Sequence, residues 1–292
     1  MRTTLEQWRM LKAVIDHGGF AHASEAIYKS QSSINTAVHK LQDTLGVRLL
    51  EVQGRKAVLT EQGKLLLRRA EMLIADAEKI EDVAASLGQG VEAEIRIAVD
   101  MAYPDNKLHH ALTQLSERYP QTSIELFETV LGGSNEMLKK DEVAIAIATH
   151  IDEDIETTRL CTVEFLCVAA PNHPLFDLES VSYQDLKRYR QIVVRDSASN
   201  REINAGWLGA EQRWTVDNIL TSLRLLKKGL GYANIPMHLA EDEIAAGRLK
   251  VLNIRDKNES KGDLVLACKD TELLGPAAQY LYHTLQAQEK MG

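Results

Sequence analysis

Long hydrophobic runs are missing from this 292-residue chain. No stretch approaches the ~18 apolar residues of a membrane span. The longest, Val143 to Ala148 and Phe165 to Ala170, have the length of buried strands. Cysteine is scarce. Cys161, Cys167 and Cys268 make no even disulfide framework, which fits a reducing compartment. The opening MRTTLEQWRM has no apolar leader segment, so the expected location is the cytoplasm. Excess positive charge is lacking as well. A net charge of -8 argues against binding nucleic acid over the whole surface. The phosphate-loop glycine pattern, the nucleophile elbow and the Cys-x-x-Cys pair are all absent. His109 and His110 are adjacent and cannot both face one metal from a helix. The expectation is a protein without cofactor or metal that is not an enzyme.

What is present is an ordinary globular composition, 45% hydrophobic and 26% charged, long enough for two or three domains. Charge is unevenly spread. Residues 1–64 hold nine Lys/Arg against six Asp/Glu, while the remainder holds 25 against 36. A weakly basic head on an acidic body suggests that only the head meets phosphate.

Apolar spacing predicts a helix over Leu5 to His17, ended by Gly18-Gly19, a short helix over Ala21 to Tyr28, and a third over Ser30 to Leu45. Ile34, Ala37, Val38, Leu41 and Leu45 form its inward face, Ser30 or Ser32 can cap it, and Gly46 closes it. Val47 to Leu59 reads as a two-stranded wing turning at Gln53-Gly54. A long helix follows to about Leu87. Leu66, Ala70, Leu73, Ala77, Ile80, Ala84 and Leu87 recur as heptads with charged flanks, a pattern that favours pairing with a second copy over packing on its own domain.

After Gly88-Gln89-Gly90 the pattern changes to alternating strands and helices. Strands are expected at Ile95–Val99, Ser123–Thr129, Val143–Ala148, Phe165–Ala169, Gln191–Val194, Gly231–Ile235, Leu249–Ile254 and Asp263–Cys268. Helices are expected near Lys107–Tyr119, Ser134–Lys140, Asn218–Lys228, Met237–Ala246 and Gly275–Gln288. This grammar predicts a largely parallel, covered sheet.

The motifs Ser24-Glu25-Ala26, Ser30-Gln31, Leu45-Gly46-Val47-Arg48-Leu49 and Leu59-Thr60-Glu61-Gln62-Gly63 closely resemble the N-terminal domain of LysR-type transcriptional regulators. Farther on, Arg118-Tyr119-Pro120 and Lys228-Gly229-Leu230-Gly231 leading to Ile235-Pro236 agree more weakly. The resemblance implies an α/β protein with an α-rich head. Its parts would be a winged helix-turn-helix over residues 1–60, a linker (dimerisation) helix and hinge over 61–90, and a two-lobed α/β effector domain over 91–292, like periplasmic binding proteins. Lobe I would take about 91–162 and 269–292, and lobe II about 163–268. Three positions depart from the family pattern: Ser32 for proline, Asn35 for serine, and Val52 for a basic wing residue. Losing a wing cation should lower the salt slope of DNA binding by roughly 0.9.

Gln31, Ser32, Ser33, Asn35, Thr36 and His39 lie on or near the front of the third helix. Gln and Asn can pair bidentately with adenine. Lys40, Arg48, Arg55 and Lys56 suit phosphate contacts, which position without specifying. Ser32 or Ser33 could instead only cap the helix, Tyr28 could touch phosphate or pack in the core, and His39 could be merely solvated.

The family binds its effector between the lobes, where open α/β sheets generally hold ligands. The corresponding loops offer Asp100, Met101, Ala102 and Tyr103, then Thr129, Val130 and Leu131, then His150. Lobe II would add Arg195, Ser197, Ser199, Asn218 and Ile235. Asp100 stands where serine or threonine is more usual. It could cap the next helix, as could Asp105, or face a cationic ligand. Arg195 could hold an anion or pair with Asp196 or Glu202, so Asp100 and Arg195 together could grip a zwitterion. The cysteines are expected to be structural, and DNA binding to be insensitive to peroxide.

The function expected is a sequence-specific transcriptional regulator. Paired heads would read an interrupted inverted repeat in double-stranded DNA, within a homodimer or homotetramer, under control of a small molecule. RNA polymerase is a further candidate partner and a membrane is not. The alternatives are a solute-binding sensor module and an enzyme with its site in the interlobe cleft.

Overall fold

The computed structural model describes residues 2–53, 56–200, 206, 209–255 and 260–288. The chain forms two compact units, residues 1–88 and 89–292.

The first unit opens with α1 (Leu5–Asp16), α2 (Phe20–Ala26) and α3 (Gln31–Leu45). Thr4 and Gln7 close a reciprocal capping box at the start of α1, satisfying two otherwise orphaned donors. Trp8, Leu11, Val14, Ala23, Ile34, Val38 and Leu41 form one buried core. The wing strands β1 (Leu50–Gln53) and β2 (Lys56–Leu59) pair antiparallel. Gln42 anchors them: its Oε1 accepts from the backbone N–H groups of Leu49 at 2.8 Å and Leu50 at 3.1 Å. The long helix α4 (Glu61–Gly88) is capped by Thr60, whose hydroxyl accepts from Gly63 N–H at 2.9 Å. A Cβ on Gly63 would lie 2.1 Å from the Leu49 carbonyl oxygen, so only glycine lets α4 start against the wing.

The second unit contains β3 (Glu94–Asp100), α5 (Asp105–Arg118), β4 (Ser123–Thr129), α6 (Gly133–Lys139), β5 (Ile145–Ala148) and β6 (Thr157–Ala169). Then come α7 (Tyr183–Lys187), β7 (Gln191–Val194), β8 (Arg213–Val216), α8 (Ile219–Lys227), β9 (Tyr232–Pro236), α9 (Met237–Ala245), β10 (Lys250–Val251), β11 (Lys261–Ala267) and α10 (Pro276–Ala287). The strand order is β4-β3-β5-β11-β6-β9-β7-β8, with β10 beside β6. The sheet is mixed rather than largely parallel, because β11 runs antiparallel to both β5 and β6, and β6 antiparallel to β9. Local βα grammar does not reveal these pairings, since β6 and β11 meet across about a hundred residues of chain, from Glu164 opposite Lys261 to Thr157 opposite Ala267.

β6 links the two lobes. Its first half pairs with β11 and its second half with β9. Lobe I has a core of β3, β5, α5 and α10 side chains, and Leu264 and Leu266 are fully buried within it. The boundary expected at residue 268 is therefore corrected: β11 is a lobe I strand. Lobe II is built around Val168, Ile192, Leu223, Leu226 and Ile235.

Candidate DNA-reading face and effector cleft

Ile34, Val38 and Leu41 point inward at helical spacing, so Ser32, Asn35, Thr36 and His39 must point outward. With Lys40 and Asp43 they line one shallow strip of ≈ 460 Å³ along α3. Sequence reasoning missed Asp43, although it sits one turn beyond His39. Gln31 and Ser33 are exposed at the front of the helix. The cap is Ser30, whose hydroxyl accepts from Ser33 N–H at 3.2 Å. Ser32 and Ser33 are thus not the cap, and the Ser33, Asn35, Thr36 and His39 side chains have no hydrogen-bond partner among the described residues.

Tyr28 is 94% exposed and adopts φ 53°, so core packing of its ring is excluded. The turn that presents it is tied by the Ser24 hydroxyl donating to the Lys29 carbonyl at 2.7 Å. Arg48 is exposed and Val52 is 80% exposed on the wing. Arg55 and the Lys56 side chain lie outside the described residues.

The heptad seam divides. Ala70 is buried and Leu66 half-buried in the head's own core, beside Leu67 and Ile74. These two are corrections to the seam: the first turns of α4 must cover α1, and a residue spent there is unavailable to another chain. Beyond them Leu73 is 54%, Ile80 70% and Leu87 51% exposed, with Ala84 exposed and Ala77 half-buried.

In the second unit a cleft of ≈ 420 Å³ opens between the lobes. Asp100, Met101, Ala102, Val130, Leu131 and His150 line it as expected. Sequence reasoning missed Thr149, Phe165, Ile192, Val194, Ile219 and Asn234. Phe165, Ile192 and Val194 carry only a strand signal, and which strand positions face a cleft is set by pairing.

Several expected ligand residues have other tasks. Tyr103 is buried in the lobe I core and Ile235 in that of lobe II. The Thr129 and Ser134 hydroxyls bond each other at 2.6 Å. Asn218 caps α8, its Oδ1 accepting from Leu220 N–H at 2.8 Å. Arg195 pairs with Asp217 at 3.1 Å rather than with Asp196, and does not line the cleft. Ser197 and Ser199 clasp the lobes together. The Ser197 hydroxyl accepts from Val130 N–H at 2.9 Å, and Ser199 bonds the Glu136 carboxylate through both its N–H and its hydroxyl. Lys140 and Ser199 hold that Glu136 carboxyl down at about 2.

Asp100 is 4% exposed. It caps no helix: its Oδ1 accepts from Ala102 N–H at 2.8 Å and its Oδ2 from Leu131 N–H at 2.9 Å. Leu131 has φ 56°, a strained conformation for a branched side chain, and the Asp100 bond helps to hold it. Burial pushes the Asp100 carboxyl up to about 6 and the nearby Asp196 carboxylate adds to the rise, while the two N–H bonds oppose it. The zwitterion grip loses both ends, since Asp100 is spent on backbone and Arg195 is elsewhere. Burial also raises the Cys161 thiol, and pushes Cys268 up to about 11, which opposes thiolate chemistry.

Comparison with known proteins agrees with this construction. The family model "Bacterial regulatory helix-turn-helix protein, lysR family" matches residues 5–64, and "LysR substrate binding domain" matches residues 88–290. The uncharacterized HTH-type transcriptional regulator YeeY of Escherichia coli (strain K12) is 32% identical over 255 residues, covering 85% of this chain and 82% of that protein. The probable HTH-type transcriptional regulator YhaJ of the same organism is 29% identical over 270 residues, 90% of each chain. CrgA, a LysR-type transcriptional regulator from Neisseria meningitidis, shares the fold with a TM-score of 0.54 at 19% identity, covering 98% of this chain and 99% of its own. With a lysR-type helix-turn-helix ahead of a two-lobed α/β body, and both family models matched, the chain belongs to the LysR family of DNA-binding, effector-responsive transcriptional regulators.

Proposed function

We propose that two copies of α3 read an interrupted inverted repeat in double-stranded DNA, and that a small molecule in the cleft changes how the two heads are presented. The observation that supports this reading is the front of α3, where the Ser33, Asn35, Thr36 and His39 side chains stand exposed, without a hydrogen-bond partner among the described residues, opposite a buried apolar face. Gln31, Ser33, Asn35 and Thr36 take the role of base readers, and Tyr28, Lys40 and Arg48 that of phosphate contacts. Arg55 and Lys56 receive the same phosphate role from their place in the wing sequence.

Pairing rests on the exposed stretch of α4. Covering Leu73, Ile80 and Leu87 would contribute about 1.5–3 kcal/mol each if burial were complete. A second contact through the effector units would make a tetramer, and RNA polymerase is a partner for a DNA-bound regulator. The site of action is the cytoplasm. The relatives are regulators, so the cleft is read as a sensor rather than as a catalyst.

A mobility-shift titration of the full chain against DNA flanking its own gene tests the proposal. Retention of one fragment at a concentration that leaves unrelated DNA free is expected. Equal retention of all fragments would refute sequence-specific reading.

A further inference from the structure

The cleft already contains its own anion. Asp100 stands at the end of β3, nearly sealed from solvent, and both its oxygens are spent on backbone N–H groups of cleft-lining residues, Ala102 and Leu131. Converging backbone N–H groups of this kind hold an incoming carboxylate or phosphate in many proteins. Here the donors are taken. No basic side chain among the described residues pairs with Asp100, and the charge that acts on it most is a second buried carboxylate, Asp196. Asp196 accepts from the N–H groups of Gly132, at 3.1 Å, and Ala198, at 2.9 Å. A ligand anion at this depth would meet occupied donors and like charge, and would lose its hydration without replacement.

The rest of the cleft is shaped for a different ligand. Met101, Phe165, Ile192, Val194 and Ile219 supply apolar wall. Among its polar lining residues, which also include His150, Ser260 and Lys261, Thr149 and Asn234 offer directed uncharged hydrogen bonds. The Thr149 hydroxyl has no hydrogen-bond partner among the described residues, and neither has the side-chain oxygen of Asn234, whose amide N–H donates to the Gly206 carbonyl at 3.3 Å. A cavity of ≈ 420 Å³ is within the common range for small-molecule sites and has room for two or three fused or linked rings.

We propose that Asp100 is the specificity-determining residue of this cleft, an internal anion that makes it select uncharged, largely apolar ring compounds and reject their anionic counterparts. This rests on reading the cleft as the effector site. Asp100 acts on the ligand by occupying the donors that an anion would need.

A matched pair of fluorescent probes tests it: uncharged N-phenyl-1-naphthylamine and its sulfonate, 8-anilino-1-naphthalenesulfonate. Titrated into the full chain at about pH 8, the uncharged probe is expected to bind about tenfold or more tighter than the sulfonate. Val194→Trp, which fills the cleft, should abolish the binding. Asp100→Ser removes the internal charge and releases both N–H donors, and should bring the two affinities to within about threefold of each other. The wild type supplies a second measurement that needs no variant at Asp100. The sulfonate stays charged at low pH, so lowering the pH to about 5 protonates Asp100 and should shrink the preference. His150 and Lys261 also line the cleft, so the pH effect should persist in His150→Gln. An affinity ratio indifferent to Asp100→Ser and to pH would overturn this inference and leave the cleft a ligand site. Binding of both probes indifferent to Val194→Trp would overturn the inference and the effector reading together.

Discussion

The front of α3 and the floor of the cleft are both polar, yet they are built in opposite ways. On α3 the side chains of Ser33, Asn35, Thr36 and His39 are exposed and unpartnered among the described residues. Asp100, which lines the cleft, and Asp196, Thr129 and Ser134, which lie outside its lining, are buried and spend their hydrogen bonds internally. The difference teaches where each region gets its selectivity. An exposed polar stripe recognises by forming hydrogen bonds that the free protein does not have. A self-satisfied floor offers few such bonds, so its cleft selects by shape, apolar contact and the exclusion of charge.

The largest expected effect lies in the linker. Leu73→Lys puts a cation on the exposed half of α4, where it should separate the heads while leaving α3 intact. Losing bivalent attachment should weaken operator binding by about 10²-fold or more. Sedimentation with a parallel DNA titration checks this. A monomeric variant binding at full strength would mean that one stripe suffices alone.

Next is the linkage of Asp100 to stability. Its folded pKa is raised, to about 6 from 3.8, so its favourable contribution is complete below about pH 4 and is lost as the pH climbs through 6. The loss should approach about 3 kcal/mol, to order of magnitude. Thermal unfolding of the wild type against Asp100→Asn across this window should show the stability difference sloping with pH. A flat difference would show the floor to be wetter than its burial indicates.

Asn35→Ala should cost about 1–3 kcal/mol of discrimination at one base position. Lys40→Ala should weaken all sequences alike and lower the salt slope by roughly 0.9. Titrations at several salt concentrations, on operator and scrambled DNA, separate the two. If both variants behaved alike, the stripe would not divide into readers and positioners.

The smallest effect belongs to Arg195→Gln. Its pair with Asp217 is substantially exposed, so removing it should change stability by about 1 kcal/mol or less and leave cleft binding unchanged. A large loss of ligand affinity, read from the same probe titrations, would restore Arg195 to the site.

Most of the head is legible in the sequence. Its elements are joined by short turns, and Ile34, Val38 and Leu41 mark the inward face of α3 by helical period alone. Gly63 is recognisable there as part of a motif. The reason for it, a Leu49 carbonyl oxygen only 2.1 Å from where a Cβ would lie, needs the fold. The second unit is less legible. The first half of β6 and all of β8 leave little strand signal, because Thr157–Glu164 mixes polar with apolar residues and Arg213–Val216 is an exposed edge strand. Leu249 to Ile254 reads as a full strand, yet only Lys250–Val251 form one, and Ile254 makes an isolated bridge to Val181.

What the sequence by itself determined was the order of parts, the reading helix and its front, because helical period and capping act over a few residues. Tertiary structure alone decided which half of the α4 seam is free, where β11 belongs, and which cleft residues are open to a ligand. Those outcomes depend on partners far along the chain. Leu264 takes its place opposite Cys161, and Asp100 has one oxygen on its near neighbour Ala102 and the other on Leu131, a loop away. A residue's chemistry can be read from its type, but whether that chemistry is still available depends on what the fold has already bonded to it.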